Sequence, residues 1–205
     1  TGYELWKTDG TTVGTVLVKD LKVGTASSAI GSLVAHSGKL YFGADGSADG
    51  TELWVSNGTA ATTMLHTDIN SGTGSSSPYS FNSTTAGLFF TAATVASGQE
   101  LWVLDNNNTV SLLKDINAGI ESSYPSTFVV NGGHIYFSAF DSLTGYEYYV
   151  SDGTVAGTKI LKDIYTGTTS GVTTRMLGGL GADGAFVVAE DIVYGREGWS
   201  YLGGI

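Results

Sequence analysis

The stretch YELWKTDGTTVGTVLVKDL, Tyr3–Leu21, returns at Thr51–Ile69 as TELWVSNGTAATTMLHTDI, and weaker copies follow around Glu100 and Glu147. The glutamates of this motif fall at Glu4, Glu52, Glu100, Glu147 and Glu197, at intervals of 48, 48, 47 and 50 residues. The aspartates that close it, Asp20, Asp68, Asp115 and Asp163, keep the same spacing. Two residues before four of the glutamates stands a glycine (Gly50, Gly98, Gly145, Gly195). About ten residues before those glutamates lies an apolar cluster: LYF at 40–42, LFF at 88–90, IYF at 135–137 and AFV at 185–187. A fixed period of this length is the mark of a repeat architecture.

Each period of about 48 residues holds four short strand-like runs separated by turn residues. In the first full copy these are 32–36, 39–44, 51–56 and 62–68. No segment has a 3.6-residue apolar period, so helices are not expected. Four antiparallel strands per repeat predict an all-β chain of β-propeller blades. Residues 3–20 supply the third and fourth strands of one blade. Residues 32–68, 80–115 and 127–163 supply three whole blades, and 174–201 the first three strands of another. The 205 residues are read as a single β-propeller domain with repeats at about 3–50, 51–98, 99–145 and 146–195 and a partial copy at 196–205. Closing a four-bladed ring would set YELWKT and REGWSY in competition for one third-strand slot. Two readings stay open: a four-bladed ring with one redundant strand, or a segment of a larger propeller whose open edges need a partner.

The motif ELWKTDGTTVGTVLVKDL resembles the repeat of the bacterial ELWxxDGT-repeat proteins, over nearly the whole chain. The resemblance implies tandem blades in secreted or surface proteins and no enzymatic activity attached to the repeat. The copies diverge: Asn57 replaces the aspartate of DGT, DNNNT replaces DGTxxGT in the third copy, and EYY replaces ELW in the fourth.

Composition narrows the function. Nine basic residues against nineteen acidic ones give a formal charge of −10, which disfavours nucleic acid because phosphate binding needs a basic face. The absence of cysteine excludes disulfides, thiolate catalysis and Cys-ligated metals. No apolar run approaches the ~18 residues of a membrane span, and no signal peptide is visible. A Cys-free, acidic chain rich in Gly, Ser, Thr, Asn and Asp fits a secreted or cell-surface protein.

Residues that recur in every copy are expected to serve the blade. Trp6, Trp54, Trp102 and Trp199, with Tyr149 in the fourth copy, are predicted to wedge between sheets. Asp-Gly-Thr is hairpin-turn chemistry, with the carboxylate accepting an N–H and glycine taking positive φ. The Asp20 column is read as capping the connecting loop or gathering a cation. Ser27, Ser75, Ser122 and Ser170 form a further column. His36, His66 and His134 fall in three different columns, so no Ser-His-Asp triad is expected. Only Arg175 and Arg196 are present, too few for a multi-arginine site for acidic sugars.

The candidate metal site is the hairpin ADGSADGTE at 44–52. Asp45, Ser47, Asp49 and Glu52 offer oxygens at alternating positions, as hard cations such as calcium require. Candidate ligand-binding residues are Tyr79, Tyr124 and Tyr165, aromatics outside the repeat in Gly/Ser-rich loops suited to stacking on neutral sugars. The expected function is a non-enzymatic extracellular scaffold assembling with other chains, as a homo- or hetero-oligomer, or with surface glycans. The alternative is a glycan-binding lectin, and a propeller hydrolase comes third.

Overall fold

The structure, a computed structural model, describes residues 2–172, 178–181, 184–191 and 193–201. It is all-β. The first sheet pairs β1 (Leu5–Lys7) with β2 (Val16–Lys19). The second contains β3 (Val34–His36), β4 (Lys39–Asp45), β5 (Thr51–Ser56) and β6 (Met64–Thr67). The third contains β7 (Tyr79–Ser83), β8 (Gly87–Thr94), β9 (Gly98–Asp105) and β10 (Val110–Lys114). The fourth contains β11 (Ser126–Asn131), β12 (His134–Asp141), β13 (Gly145–Ser151) and β14 (Lys159–Lys162). The fifth is formed by β15 (Gly178–Leu180), β16 (Gly184–Asp191) and β17 (Gly195–Tyr201). Every sheet is laid down in chain order, and the pairings are antiparallel. The chain forms two compact units, Thr1–Ser83 with Ala92–Val95 and Thr84–Thr91 with Ala96–Ile205.

The strands fall where alternation and turn residues place them, with first and fourth strands shorter than expected. Four of the runs end in a hairpin that requires glycine, three of them on two grounds. Gly50, Gly98, Gly145 and Gly195 have φ of 71°, 59°, 74° and 70°, in the left-handed region that favours glycine. In three of them a side chain would also strike the loop that leaves the sheet: a Cβ would lie 2.7 Å from Gly74 O, 2.7 Å from Glu121 O and 2.9 Å from Ser170 N.

The turns between third and fourth strands are closed hydrogen-bond circuits. At Asp152, Oδ1 accepts the Thr154 N–H at 2.8 Å and the Thr154 hydroxyl at 2.7 Å. Thr154 Oγ1 accepts the Gly157 N–H at 2.9 Å, and the Thr158 hydroxyl donates to Thr154 O at 2.7 Å. Asp9, Thr11, Gly14 and Thr15 repeat the circuit bond for bond. Asn57 does not: its Oδ1 accepts the Thr59 hydroxyl at 3.3 Å, and a 3₁₀ turn at Ala60–Thr62 takes up the remainder. After each turn the fourth strand slips by one residue, leaving Val18, His66, Leu113 and Leu161 as bulges. Bulges re-aim side chains, and Val18 and Leu113 are buried by theirs.

In the first unit Leu5, Val18, Leu21, Phe42 and Ala44 form a core against which Trp54 packs. In the second unit one cluster centres on Phe89, Leu101, Leu113 and Phe137 and another on Tyr136, Tyr148 and Val187. The aromatic column wedges between sheets as expected at Trp54, Tyr149 and Trp199, each packed on a cluster drawn from two neighbouring sheets. Trp102 is half-buried and Trp6 is 53% exposed. The preceding residue, Leu53, Leu101 or Tyr148, is fully buried on the opposite face of the strand, since Phe42 and Phe137 pair with Trp54 and Tyr149. Phe137→Ala, deleting a buried ring stacked on Phe128 and Tyr149, should cost about 3–5 kcal/mol in denaturant unfolding. Trp6→Ala should cost less than about 1 kcal/mol in the same assay.

Candidate functional site

The repeated glutamates have a role that composition does not reveal. Glu52, Glu100 and Glu147 are fully buried, and a buried carboxylate must collect hydrogen bonds or lose its charge. The donors come from the loop that follows each fourth strand. Glu52 accepts the N–H of Ile69 at 2.8 Å, the N–H of Ser76 at 2.7 Å and the Ser76 hydroxyl. Glu100 accepts the N–H groups of Ile116, Asn117 and Ser123 at 3.2, 3.4 and 3.0 Å, and the Ser123 hydroxyl. Glu147 accepts the Gly171 N–H at 2.7 Å, and the half-buried Glu4 accepts the Leu21 N–H at 2.9 Å. Glu197, for which no such loop is described, is exposed.

The latched residue also grips the next sheet. Ser28 O accepts the Asp45 N–H at 2.7 Å, and Ser76 O accepts the Ala93 N–H at 2.9 Å. Ser123 O accepts the Phe140 N–H at 2.7 Å, and Gly171 O accepts the Glu190 N–H at 2.9 Å. One residue earlier, Ser27, Ser75, Ser122 and Ser170 each accept the N–H of the residue before the glutamate, at 2.9–3.0 Å. The serine column therefore serves the connecting loop. The hydroxyls that meet the glutamates are their neighbours Ser76 and Ser123, which sequence reasoning passed over although Ser-Ser recurs in register with Glu. The Ser28 hydroxyl donates to Tyr3 O instead, at 3.0 Å.

The aspartate column caps the same loops. Asp68, Asp115 and Asp163 accept the N–H groups of Gly72, Gly119 and Gly167 at 3.2, 3.0 and 3.3 Å. A further tie reaches the hairpin of the following sheet. Lys22 forms an ion pair with Asp45, while Asn70 Oδ1 accepts the Val95 N–H at 3.3 Å and Asn117 Oδ1 accepts the Ser142 N–H at 3.2 Å.

The four oxygens expected around a calcium ion are not brought together. Glu52 is turned into the latch, 0% exposed, with both oxygens bonded. Asp45 accepts the Ser47 N–H at 2.7 Å and pairs with Lys22, whose ammonium holds its carboxyl below the usual range. Ser47 is exposed and Asp49 half-buried. Alternation along a strand placed Glu52 on the wrong side for the loop: it belongs to β5, facing the core. Among the described residues no three His, Asp or Glu side chains gather as a metal site. His36 is buried against Ser83 Oγ, 2.8 Å from Nδ1. Arg175 lies outside the described residues.

The candidate tyrosines are not brought together: Tyr79 begins β7, while Tyr124 and Tyr165 lie in two separate loops. Tyr124 is 52% exposed and Tyr79 41%. Tyr124 sits at φ 49°, as Ala29 and Ser77 do at 48° and 47° in the same column. Tyr165 is half-buried in the column of Lys22, Asn70 and Asn117. No helix among the described residues is long and apolar enough to cross a membrane. Comparison of the chain with protein-family models and with curated proteins gives no match.

The electrostatics of the latch are testable. Burial pushes Glu100 up to about 7, against the pull of the Ser123 hydroxyl and the N–H groups of Ile116, Asn117 and Ser123. Burial likewise pushes Glu147 up to about 7, with the Asp163 charge adding to the rise. A carboxyl with a raised folded pKa favours folding fully below its unfolded value of 4.5, and that contribution is lost as pH rises through about 7. The thermal midpoint should therefore fall between pH 5 and pH 8.5, and Glu100→Gln should flatten that dependence in calorimetric scans.

The fourth latch has glycine where the second and third have serine, and Glu147 Oε2 is buried without a hydrogen bond of normal geometry. A Cβ at Gly171 would meet Glu147 Oε1 at 2.6 Å and Ile164 Cβ at 2.8 Å, so Gly171→Ala should destabilise. Gly171→Ser carries the same crowding and restores the hydroxyl donor. It should unfold about 1–3 kcal/mol above Gly171→Ala, as read from paired urea titrations.

Proposed function

We propose that the chain is a non-enzymatic extracellular structural and interaction protein: a propeller-type scaffold of tandem blades, akin to the ELWxxDGT-repeat proteins, that assembles with other chains or cell-surface components. The observation that carries this reading is that the best-formed repeated polar columns join one sheet to the next. Glu52 and Glu100, Ser75, Ser76, Ser122 and Ser123, and Lys22, Asn70 and Asn117 are bonded to backbone or to each other. One buried oxygen each of Glu4, Asp20, Asp68 and Asp163 has no hydrogen bond. The bonded columns stiffen a series of sheets, which suits a rigid display surface. The antiparallel four-stranded repeat in chain order is what a propeller is built from.

A lectin reading is favoured at one point. Tyr124 is a half-exposed ring held at a left-handed backbone position immediately after a latch serine, so its loop has little freedom to reorient. Stacking of a neutral sugar on such a fixed ring loses little entropy.

Light scattering in calcium and then in chelator tests the scaffold reading. We expect a defined oligomer whose mass is the same in both; a monomer in both conditions overturns assembly through copies of this chain. A mass that collapses only in chelator assigns the contact to a bound cation. Glycan retention lost on Tyr124→Ala, with folding unchanged, would establish the lectin reading instead.

A further inference from the structure

Two asparagine–glycine pairs occur in the chain, Asn57-Gly58 and Asn131-Gly132. Such a pair can react with itself: the glycine nitrogen, with no side chain beside it, attacks the asparagine Cγ and closes a five-membered ring. The two pairs are alike in sequence and differ in surroundings. Asn131 lies in β11, across from His134. Its Nδ2 donates to Gly181 O at 3.2 Å and to Gly184 O at 2.9 Å. Its Cγ is pressed so close to Gly179 that a Cβ there would lie 2.6 Å away. Both the nitrogen that would leave and the carbon that would be attacked are held.

Asn57 is in the opposite condition. It is exposed, in the turn between β5 and β6, and among the described residues its side chain bonds through Oδ1 alone. That oxygen accepts the hydroxyls of Thr59, at 3.3 Å, and of Thr62. When a nitrogen adds to Cγ, negative charge develops on this oxygen, and two donors already in place stabilise it. Gly58 has φ 89°, with open space where a Cβ would stand. Its N–H donates to a side chain, Ser56 Oγ at 2.9 Å, so attack by this nitrogen gives up one hydrogen bond and no ladder contact.

We propose that Asn57 is a self-modification site, deamidating to aspartate with water as the only co-reactant. The Gly58 nitrogen gives its proton to solvent and bonds to Asn57 Cγ. The Cγ–Nδ2 bond then breaks, and Nδ2 takes up a proton and leaves as ammonia. Water adds at Cγ of the resulting ring and breaks its bond to the Gly58 nitrogen, which recovers a proton. Addition at Cγ, and not at the main-chain carbonyl, follows from the same two hydroxyls, which polarise Oδ1 in both steps. The product is the Asp-Gly-Thr of the first and fourth sheets, where Oδ1 accepts the N–H as well as the hydroxyl of the threonine two residues on. The second turn thereby gains a negative charge and the circuit that Asn57 lacks. This goes beyond the scaffold reading and does not depend on it.

The test incubates the folded 205-residue chain in mildly alkaline buffer, follows ammonia release and maps proteolytic peptides by mass. The Asn57 peptide should convert at least about tenfold faster than the Asn131 peptide of the same sample, the order of one hydrogen bond that must break. Its product should co-elute with the same peptide from Asn57→Asp. In urea the two asparagines should react alike, since only the folded chain separates them. Thr62→Val, with its fold checked by circular dichroism, should slow the Asn57 reaction roughly tenfold or more, as expected for a donor lost from a developing oxyanion. An Asn57 that stays intact, one that reacts no faster than Asn131 in the folded chain, or a rate indifferent to Thr62→Val overturns the site. A difference between the two asparagines that persists in urea places its cause in the local sequence and overturns the structural argument. Isoaspartate as the main product overturns opening of the ring at Cγ.

Discussion

A carboxylate taken out of water has to be met by donors at short range, and in a sheet the strand's own N–H groups are already engaged. Glu52 and Glu100 therefore reach beyond their sheet, to N–H groups of a loop that would otherwise be unconstrained. That loop is the one leading onward, and the residue it presents, Ser76 or Ser123, accepts an N–H from β8 or β12 in turn. One buried acid thus sets where the chain leaves one sheet and where it enters the next. Aspartates that cap the loop and glycines that let the hairpin approach it make sense only in relation to this contact.

The same arrangement explains the decay along the chain. Gly171 keeps the N–H and gives up the hydroxyl, and Glu197 is left in solvent. Val187 replaces a phenylalanine at the junction where the latch is thinnest. A cavity of about 130 Å³ lies beside Trp199 at this fourth junction, and one of the same volume lies beside Tyr149 at the third. The buried polar contacts are concentrated where the copies agree, and exposed aromatic surface lies where they differ, at Tyr124. This division is the usual one for a repeat protein whose neighbouring units supply each other's core.

Much of the architecture was legible in the residues. Period, strand order and the Asp-Gly-Thr turns follow from local rules: alternation sets a strand, and an aspartate with glycine and threonine closes a turn within five residues. The serine column and the aspartate column were also read correctly as loop chemistry. Of the aromatic column, Trp6 departs from the expected wedge: it is 53% exposed, in a sheet of two strands. Glu52 was grouped with Asp45, Ser47 and Asp49 because sequence proximity conceals which side of β5 a side chain takes.

By itself the sequence determined the period of about 48 residues, the antiparallel strands and the turn circuits, since each depends on contacts within a few residues or on a pattern of two. Tertiary structure alone decided the role of the glutamates, whose donors lie 16–24 residues away, and the rank of the serines that meet them. It also decided that Lys162 covers Trp199, while Lys19 and Lys114 bond to carbonyls. Those outcomes depend on which groups are left without water when sheets come together, and no stretch of chain carries that information until its neighbour is in place.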